Sequence, residues 1–115
     1  MLEKVLNQSI CLKQYISEKD YKEINQLREI CSSKDKTNLK LELDYRLNVS
    51  KYSEIGLKKI NEFFYYVEEV LVAYLGISSF GANIAEINGM THPDFRRKGI
   101  FKKLFGLARK MQLPE

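Results

Sequence analysis

The sequence has no tryptophan, one histidine, two cysteines and two prolines among its 115 residues. A single histidine leaves Ser/His/Asp and Cys/His triads without support. Cys11 and Cys31 stand apart, with neither a CxxC spacing nor a histidine cluster beside them, so zinc and redox chemistry are not expected and no metal site is assigned. So low a cysteine content also argues against a disulfide scaffold and fits reduced thiols. No stretch approaches the roughly 18 to 20 consecutive apolar residues of a membrane span. The first fourteen residues carry Glu3 and Lys4 and lack a small-residue cleavage site behind an apolar core. The expectation is an unprocessed chain in the cytoplasm.

What is present is ordinary for a folded domain: 44% hydrophobic and 30% charged positions, in a chain too short for two independent cores. The net charge of +4 conceals an asymmetry. Residues 95–114 hold seven of the 19 basic residues and no acidic one, so the remainder carries 12 basic against 15 acidic side chains. A basic end on a mildly acidic body indicates a localised anion site rather than a surface made for nucleic acid.

Helical spacing of Ile16, Tyr21, Ile24, Leu27, Ile30 and Cys31 predicts an amphipathic helix over residues 18–34, with Ser17 as its cap and Ser32 and Ser33 at its exit. The first fifteen residues fit a helix or a strand equally. In residues 39–47 strict alternation of Leu39, Leu41, Leu43, Tyr45 and Leu47 favours a strand, whereas residue propensity favours a helix. Residues 48–59, polar and containing Gly56, read as a connection. Residues 61–68 and 70–80 are aromatic and β-branched on either side of Glu68 and Glu69, which predicts a hairpin. Gly81, Ala82 and Asn83 supply a second turn into a third strand over residues 84–91, where the interior Gly89 marks a bulge or a close backbone approach. From Gly99 to Met111 the apolar residues Ile100, Phe101, Leu104, Phe105, Leu107, Ala108 and Met111 predict a strongly amphipathic helix.

Between the third strand and that helix lie Arg96, Arg97, Lys98, Gly99, Ile100 and Phe101. Amides at a helix start have no intrahelical acceptor, and here three cations and a glycine surround them, an arrangement suited to phosphate. The dipole offers about half a positive charge, and each charge-assisted hydrogen bond adds roughly 1.5 to 3 kcal/mol. The spacings of a Walker loop and of a dinucleotide-binding turn are both absent.

This segment resembles the central motif of the GNAT superfamily of acetyl-coenzyme A dependent N-acetyltransferases, a strand, a Q/R-x-x-G-x-G/A loop and a helix. The loop reads Arg96-Arg97-Lys98-Gly99-Ile100-Phe101, and Met90-Thr91-His92-Pro93 is similar to the family's V-x-P strand end. Phe101 departs from the small residue of the last motif position, which leaves open whether its ring turns into the core or crowds a pyrophosphate. The resemblance covers about the last half of the chain. It implies an α+β fold of GNAT type, with a mixed helical region over residues 1–60 and the hairpin, third strand and coenzyme-binding loop and helix over residues 61–115. It further implies acetyl-coenzyme A as cosubstrate, with the pyrophosphate on the amides of Arg97, Lys98, Gly99, Ile100 and Phe101 beside Arg96, and the pantetheine arm along Met90, Thr91 and His92. The family's domain continues past its coenzyme-binding helix with a strand, a helix bearing a tyrosine acid and final strands. The expectation is therefore the N-terminal portion of such a domain, with an unpaired edge on the third strand that invites a homodimer.

An acceptor amine with pKa about 10.4 must lose a proton near neutrality, which costs about 4.6 kcal/mol, so a general base is expected. Glu86, on the third strand where similar enzymes often carry a carboxylate, is the candidate, although the polar face of an alternating strand accounts for it slightly better. His92 fits a turn cap better than a second base, and the run Phe63, Phe64, Tyr65, Tyr66 fits sheet core better than a stacking platform. The acceptor class, whether polyamine, aminoglycoside, peptide or small metabolite, has no sequence signal. Two other readings stand beside the enzyme: a small basic nucleic-acid-binding module, since residues 98–105 faintly resemble an RNA-binding segment, and a non-catalytic interaction domain on the same scaffold.

Overall fold

Ser17 and Asp20 open the first helix. The Ser17 hydroxyl accepts from the Asp20 amide at 3.1 Å while the Asp20 carboxylate accepts from the Ser17 amide at 2.9 Å, a reciprocal cap that satisfies two donors. In the computed structural model, which describes residues 6–39, 41–52, 60–80 and 84–112, this helix, α1, spans Glu18–Asp35. It runs straight through Ser32 and Ser33, correcting the expected exit. Serines lower helix propensity without ending a helix, and the chain leaves only at Lys36, whose left-handed backbone (φ 55°) returns its N–H to the Ser32 carbonyl.

Four antiparallel strands form one sheet in the order β1 (Gln8–Lys13), β2 (Glu62–Val67), β3 (Val70–Phe80), β4 (Ile84–Thr91). The hairpin and the third strand of the sequence reading are β2, β3 and β4, and the turn at residues 81–83 lies outside the described residues. β1 is an addition. It pairs with β2 from Gln8 against Val67 to Lys13 against Glu62, and Cys11 and Leu12 pack on opposite faces of the sheet. The N-terminal region is thus joined to the hairpin through the sheet.

Residues 39–47 resolve in favour of propensity: α2 spans Leu43–Tyr52, taking in residues 48–52 that read as connection. Leu43 and Leu47, one turn apart, pack with Leu39 and Leu41 toward α1. Residues 53–59 fall outside the described part.

The sheet separates two cores. On one face α1, α2 and the loop before α2 bury Ile24, Leu27, Cys31, Leu41 and Leu43 against Phe64, Tyr74 and Met90. On the other, helix α3 (Ile100–Gln112) lays Ile100, Leu104 and Ala108 on Phe63, Tyr65, Leu75 and Ile77. The spacing of four residues is what keeps those three on one stripe, and Phe105 falls off it and stays exposed. β3 serves both cores by alternation, and its register shifts once: Tyr65 faces Ala73 but Tyr66 faces Leu71, so Val72 is an extra residue. The bulge puts Val72 and Ala73 in the same core and reverses the alternation on either side. Phe63, Phe64 and Tyr65 are buried in these cores, which leaves them no face for stacking on a base.

Candidate functional site

The chain leaves β4 through a short 3-10 turn, Pro93–Phe95, before entering α3. Proline at the first position fits because its missing N–H costs nothing there. The His92 imidazole closes the turn, its Nδ1 accepting from the Asp94 amide at 3.1 Å, while its backbone N–H donates to Val72 O at 2.7 Å. His92 is therefore a turn cap, and it faces away from the loop's cavity.

Arg96 anchors the next stretch. Its Nε donates to Thr91 O at 3.0 Å, and its two terminal nitrogens form a bidentate pair with Asp35 at the end of α1, both at 2.7 Å. That pairing holds the guanidinium above its ordinary pKa and the Asp35 carboxyl below its own. Cys31 also donates to Thr91 O, at 3.3 Å, and burial pushes its thiol up. With Arg96 committed to α1, the exposed cations of the loop are Arg97 and Lys98. Lys98 lies over the Phe95 ring, 5.6 Å from its centroid. Arg97 and Gly99 both have left-handed backbone, φ 63° and 77°. Alternation of this kind curls a loop so that its amides converge.

The Gly99 carbonyl receives the first helical bond of α3, from Lys103 N at 3.1 Å, so the amides of Ile100, Phe101 and Lys102 have no acceptor within the helix. No acidic residue stands in this first turn, in contrast to α1 with Glu18 and Asp20. These amides border a cavity of about 340 Å³ that also touches Gly89, Met90, Thr91 and Arg97. Seven of the expected coenzyme residues meet there: Met90, Thr91, Arg96, Arg97, Gly99, Ile100 and Phe101. Phe101 does not fill the opening. Its ring lies on Gly89, where any Cβ would collide with its edge and approach Tyr74 O to 2.7 Å. Gly89 and Phe101 thus form a matched pair, and the departure from a small residue is absorbed by the missing side chain on the strand.

β4 is an edge of the sheet among the described residues. Because His92 N–H bonds to β3, alternation along the ladder turns Met90 and His92 inward and the backbone groups of Gly89 and Thr91 outward; Thr91 O is taken by Arg96 and Cys31, which leaves the N–H and C=O of Gly89 and the N–H of Thr91 on the open side. The Met90 side chain is buried against α1. Glu86 sits apart from the cavity, exposed, on the same face of β4 as Met90 and roughly 13 Å along the strand. Its Oε1 accepts from Asn88 Nδ2 at 2.7 Å.

Sequence reasoning missed a buried polar cluster beneath α2. Arg46 (6% exposed) donates to Glu62 (3% exposed) at 2.6 Å, to Leu41 O at 3.2 Å, to Ile77 O at 3.3 Å and to Ser78 Oγ at 2.7 Å. The Tyr74 hydroxyl donates to the other oxygen of Glu62. Burial raises the Glu62 carboxyl to about 7, against the pull of Arg46 and Tyr74, and it raises the Tyr74 phenol strongly. The available signal was Gly76, a glycine inside a hydrophobic strand: a Cβ there would meet Arg46 Cζ at 2.8 Å.

The fold, α+β with helices flanking an antiparallel sheet and a loop leading from the fourth strand into a helix, is shared with several solved acetyltransferases. A possible acetyltransferase from Clostridium difficile 630 superposes with TM-score 0.60 at 16% identity, over 90% of this chain and 69% of that one. PaiA N-acetyltransferase from Thermoplasma acidophilum, solved in complex with coenzyme A, gives 0.59 at 18% identity, over 89% of this chain and 70% of that one. An aminoglycoside N-acetyltransferase in complex with coenzyme A gives 0.59 at 13% identity, over 96% and 72%. At such identities the likeness establishes the fold. No protein-family model matches the sequence, and no curated protein matches it.

Proposed function

We propose that this chain binds acetyl-coenzyme A and takes part in acetyl transfer to a primary amine. The observation that carries the reading is the meeting, at one cavity, of an acid-free helix start, a loop with two left-handed residues and the open edge of a strand. Two of the superposed acetyltransferases hold coenzyme A, which supports the choice of ligand.

In this reading the amides of Ile100, Phe101 and Lys102, with those of Arg97, Lys98 and Gly99, hold the pyrophosphate, and Arg97 and Lys102 add positive charge. Arg96 contributes by fixing the loop to α1 through Asp35. The N–H and C=O of Gly89 and the N–H of Thr91, along the edge of β4, would pair with the pantetheine amides, and one of these N–H groups would polarise the thioester carbonyl. Bound there, the coenzyme supplies an activated acyl group. The amine would first pass one proton toward Glu86 and then attack the acyl carbon; the C–S bond would break and the coenzyme thiolate leave, taking up the second proton that the attacking nitrogen sheds. Glu86 stands roughly 10 Å along the strand from Gly89, so the proton travels through water. Asn88 holds the carboxylate in place.

Calorimetric titration with acetyl-coenzyme A at two salt concentrations, with an unrelated nucleotide as control, tests the reading. Micromolar, coenzyme-selective binding is the expected result. A folded chain that binds neither, or binds both equally, overturns it.

A further inference from the structure

On the α1 face of the sheet, β1, β2 and the start of α1 frame a cleft of about 540 Å³. Its Lys13 shows how this chain holds an ammonium group. Nζ of Lys13 donates to both carboxylate oxygens of buried Asp20 at 2.9 Å and lies 5.3 Å from the centroid of the Phe64 ring. A carboxylate on one side and an aromatic face on the other replace much of the water that an alkylammonium loses.

The same two kinds of group recur one step along both elements. On β2 the next residue of that face is Tyr66, whose ring stacks on Phe64 with centroids 6.3 Å apart. On α1 the next turn carries Glu23, and Glu69 at the turn after β2 borders the same cleft. The register places no lysine here: Ser9 stands opposite Tyr66 on β1, and Cys11 opposite Phe64. Glu23, Glu69 and the Tyr66 hydroxyl have no hydrogen-bond or ion-pair partner among the described residues. The charges of Asp20 and Lys13 cancel, so two carboxylates stand against Lys19, and the cleft is net negative around a half-buried ring. That field also acts on the Tyr66 phenol, which burial and then the Glu23 and Asp20 charges raise.

We propose that Tyr66, Glu23 and Glu69 form a binding site for an alkylammonium group, with small Ser9 leaving the room for it. The ammonium donates to the two carboxylates, and its alkyl chain lies on the Tyr66 ring. β2 is two strands from β4, roughly 10 Å, so an amine held here is not the one that meets the coenzyme at the β4 edge. The site is an addition to the proposed acetyl transfer and does not depend on it.

The cleft is open to water, so a Kd on the order of 1 mM is expected. Amide NMR of the chain alone tests it, with butylammonium chloride and Nα-acetyl-lysine amide as probes, and sodium chloride at equal ionic strength and butan-1-ol as controls. Both amines should give saturable shifts centred on Ser9, Glu23 and Tyr66. The tighter of the two identifies the source, a free small amine or a lysine side chain, and equal affinity assigns recognition to the ammonium group itself. Glu23→Gln should weaken binding about fivefold, and Tyr66→Phe, which keeps the ring, should retain it. Ser9→Lys sets a tethered ammonium opposite Tyr66 and should abolish binding. Equal shifts with sodium chloride or butan-1-ol, or unchanged affinity in Glu23→Gln or in Ser9→Lys, overturn the site. None of these readouts involves the coenzyme, so its failure to bind would leave them as they are.

Discussion

Gly99 is placed by backbone conformation rather than by crowding. Its φ is 77°, yet a Cβ built on it meets nothing within 4 Å. A side chain there strains the backbone by roughly 1 to 2 kcal/mol and projects into space beside the helix start. Gly99→Ala and Gly99→Glu carry the same strain and differ in charge. Titration of both with acetyl-coenzyme A is expected to show modest weakening for Gly99→Ala and loss of binding for Gly99→Glu. Equal affinities for the two would remove the phosphate from this loop. Glu62 supplies a second residue-scale prediction. Its folded-state carboxyl titrates near 7 and its unfolded one near 4.5. The native state therefore binds the proton more tightly, and this contribution to stability is complete below 4.5 and lost as pH rises through 7. Its size is on the order of 3 kcal/mol. Urea denaturation at pH 5 and pH 8 should show this fall in the unmodified chain and its absence in Glu62→Gln. Parallel behaviour of the two proteins would assign the fall to other groups.

At the scale of elements, the tightest conflict between sequence and backbone is the turn joining β2 to β3. Glu68 and Glu69 both have positive φ, 49° and 67°, in a two-residue hairpin turn that favours Asn and Gly. Two adjacent carboxylates add repulsion. The double substitution Glu68→Asn with Glu69→Gly should stabilise the domain by about 1 to 2 kcal/mol, read as a higher Tm. An unchanged Tm would mean that Glu68's contact with the Asn7 amide offsets the strain. The hairpin was legible despite that turn because aromatic and β-branched residues marked both strands. β4 and α3 were legible for similar reasons, one from alternation and a bounding proline, the other from an unbroken apolar stripe. β1 was not, because its apolar residues become ordered only by pairing with β2, more than 50 positions away. α2 was ambiguous because alternation and propensity disagreed over the same leucines. The loop at the cavity was legible from its cations and glycine, whereas the commitment of Arg96 to Asp35, 61 positions away, depends on where α1 ends. Buried Arg46 and Glu62 gave no local signal, since charged residues read as solvent-facing until a partner is placed beside them.

For the whole molecule, the edge of β4, open among the described residues, sets two possible uses of one surface against each other. The outward backbone groups of Gly89 and the N–H of Thr91 border the cavity, and Ile87, 39% exposed, continues the same edge away from it. An unpaired edge recruits a strand, so we propose that the chain self-associates here. The proposed coenzyme would occupy the Gly89 and Thr91 end, so the two events should compete. Sedimentation at rising concentration is expected to show a dimer that acetyl-coenzyme A shifts toward monomer. Ile87→Lys, which places a charge on the edge without touching the cavity, should abolish the dimer and leave coenzyme affinity unchanged or higher. A chain that stays monomeric at high concentration eliminates the pairing. A dimer that persists with coenzyme bound, or that survives Ile87→Lys, relocates the contact to another face. Since competition requires both ligands to use the same backbone groups, mutual exclusion would locate both on β4 in one experiment.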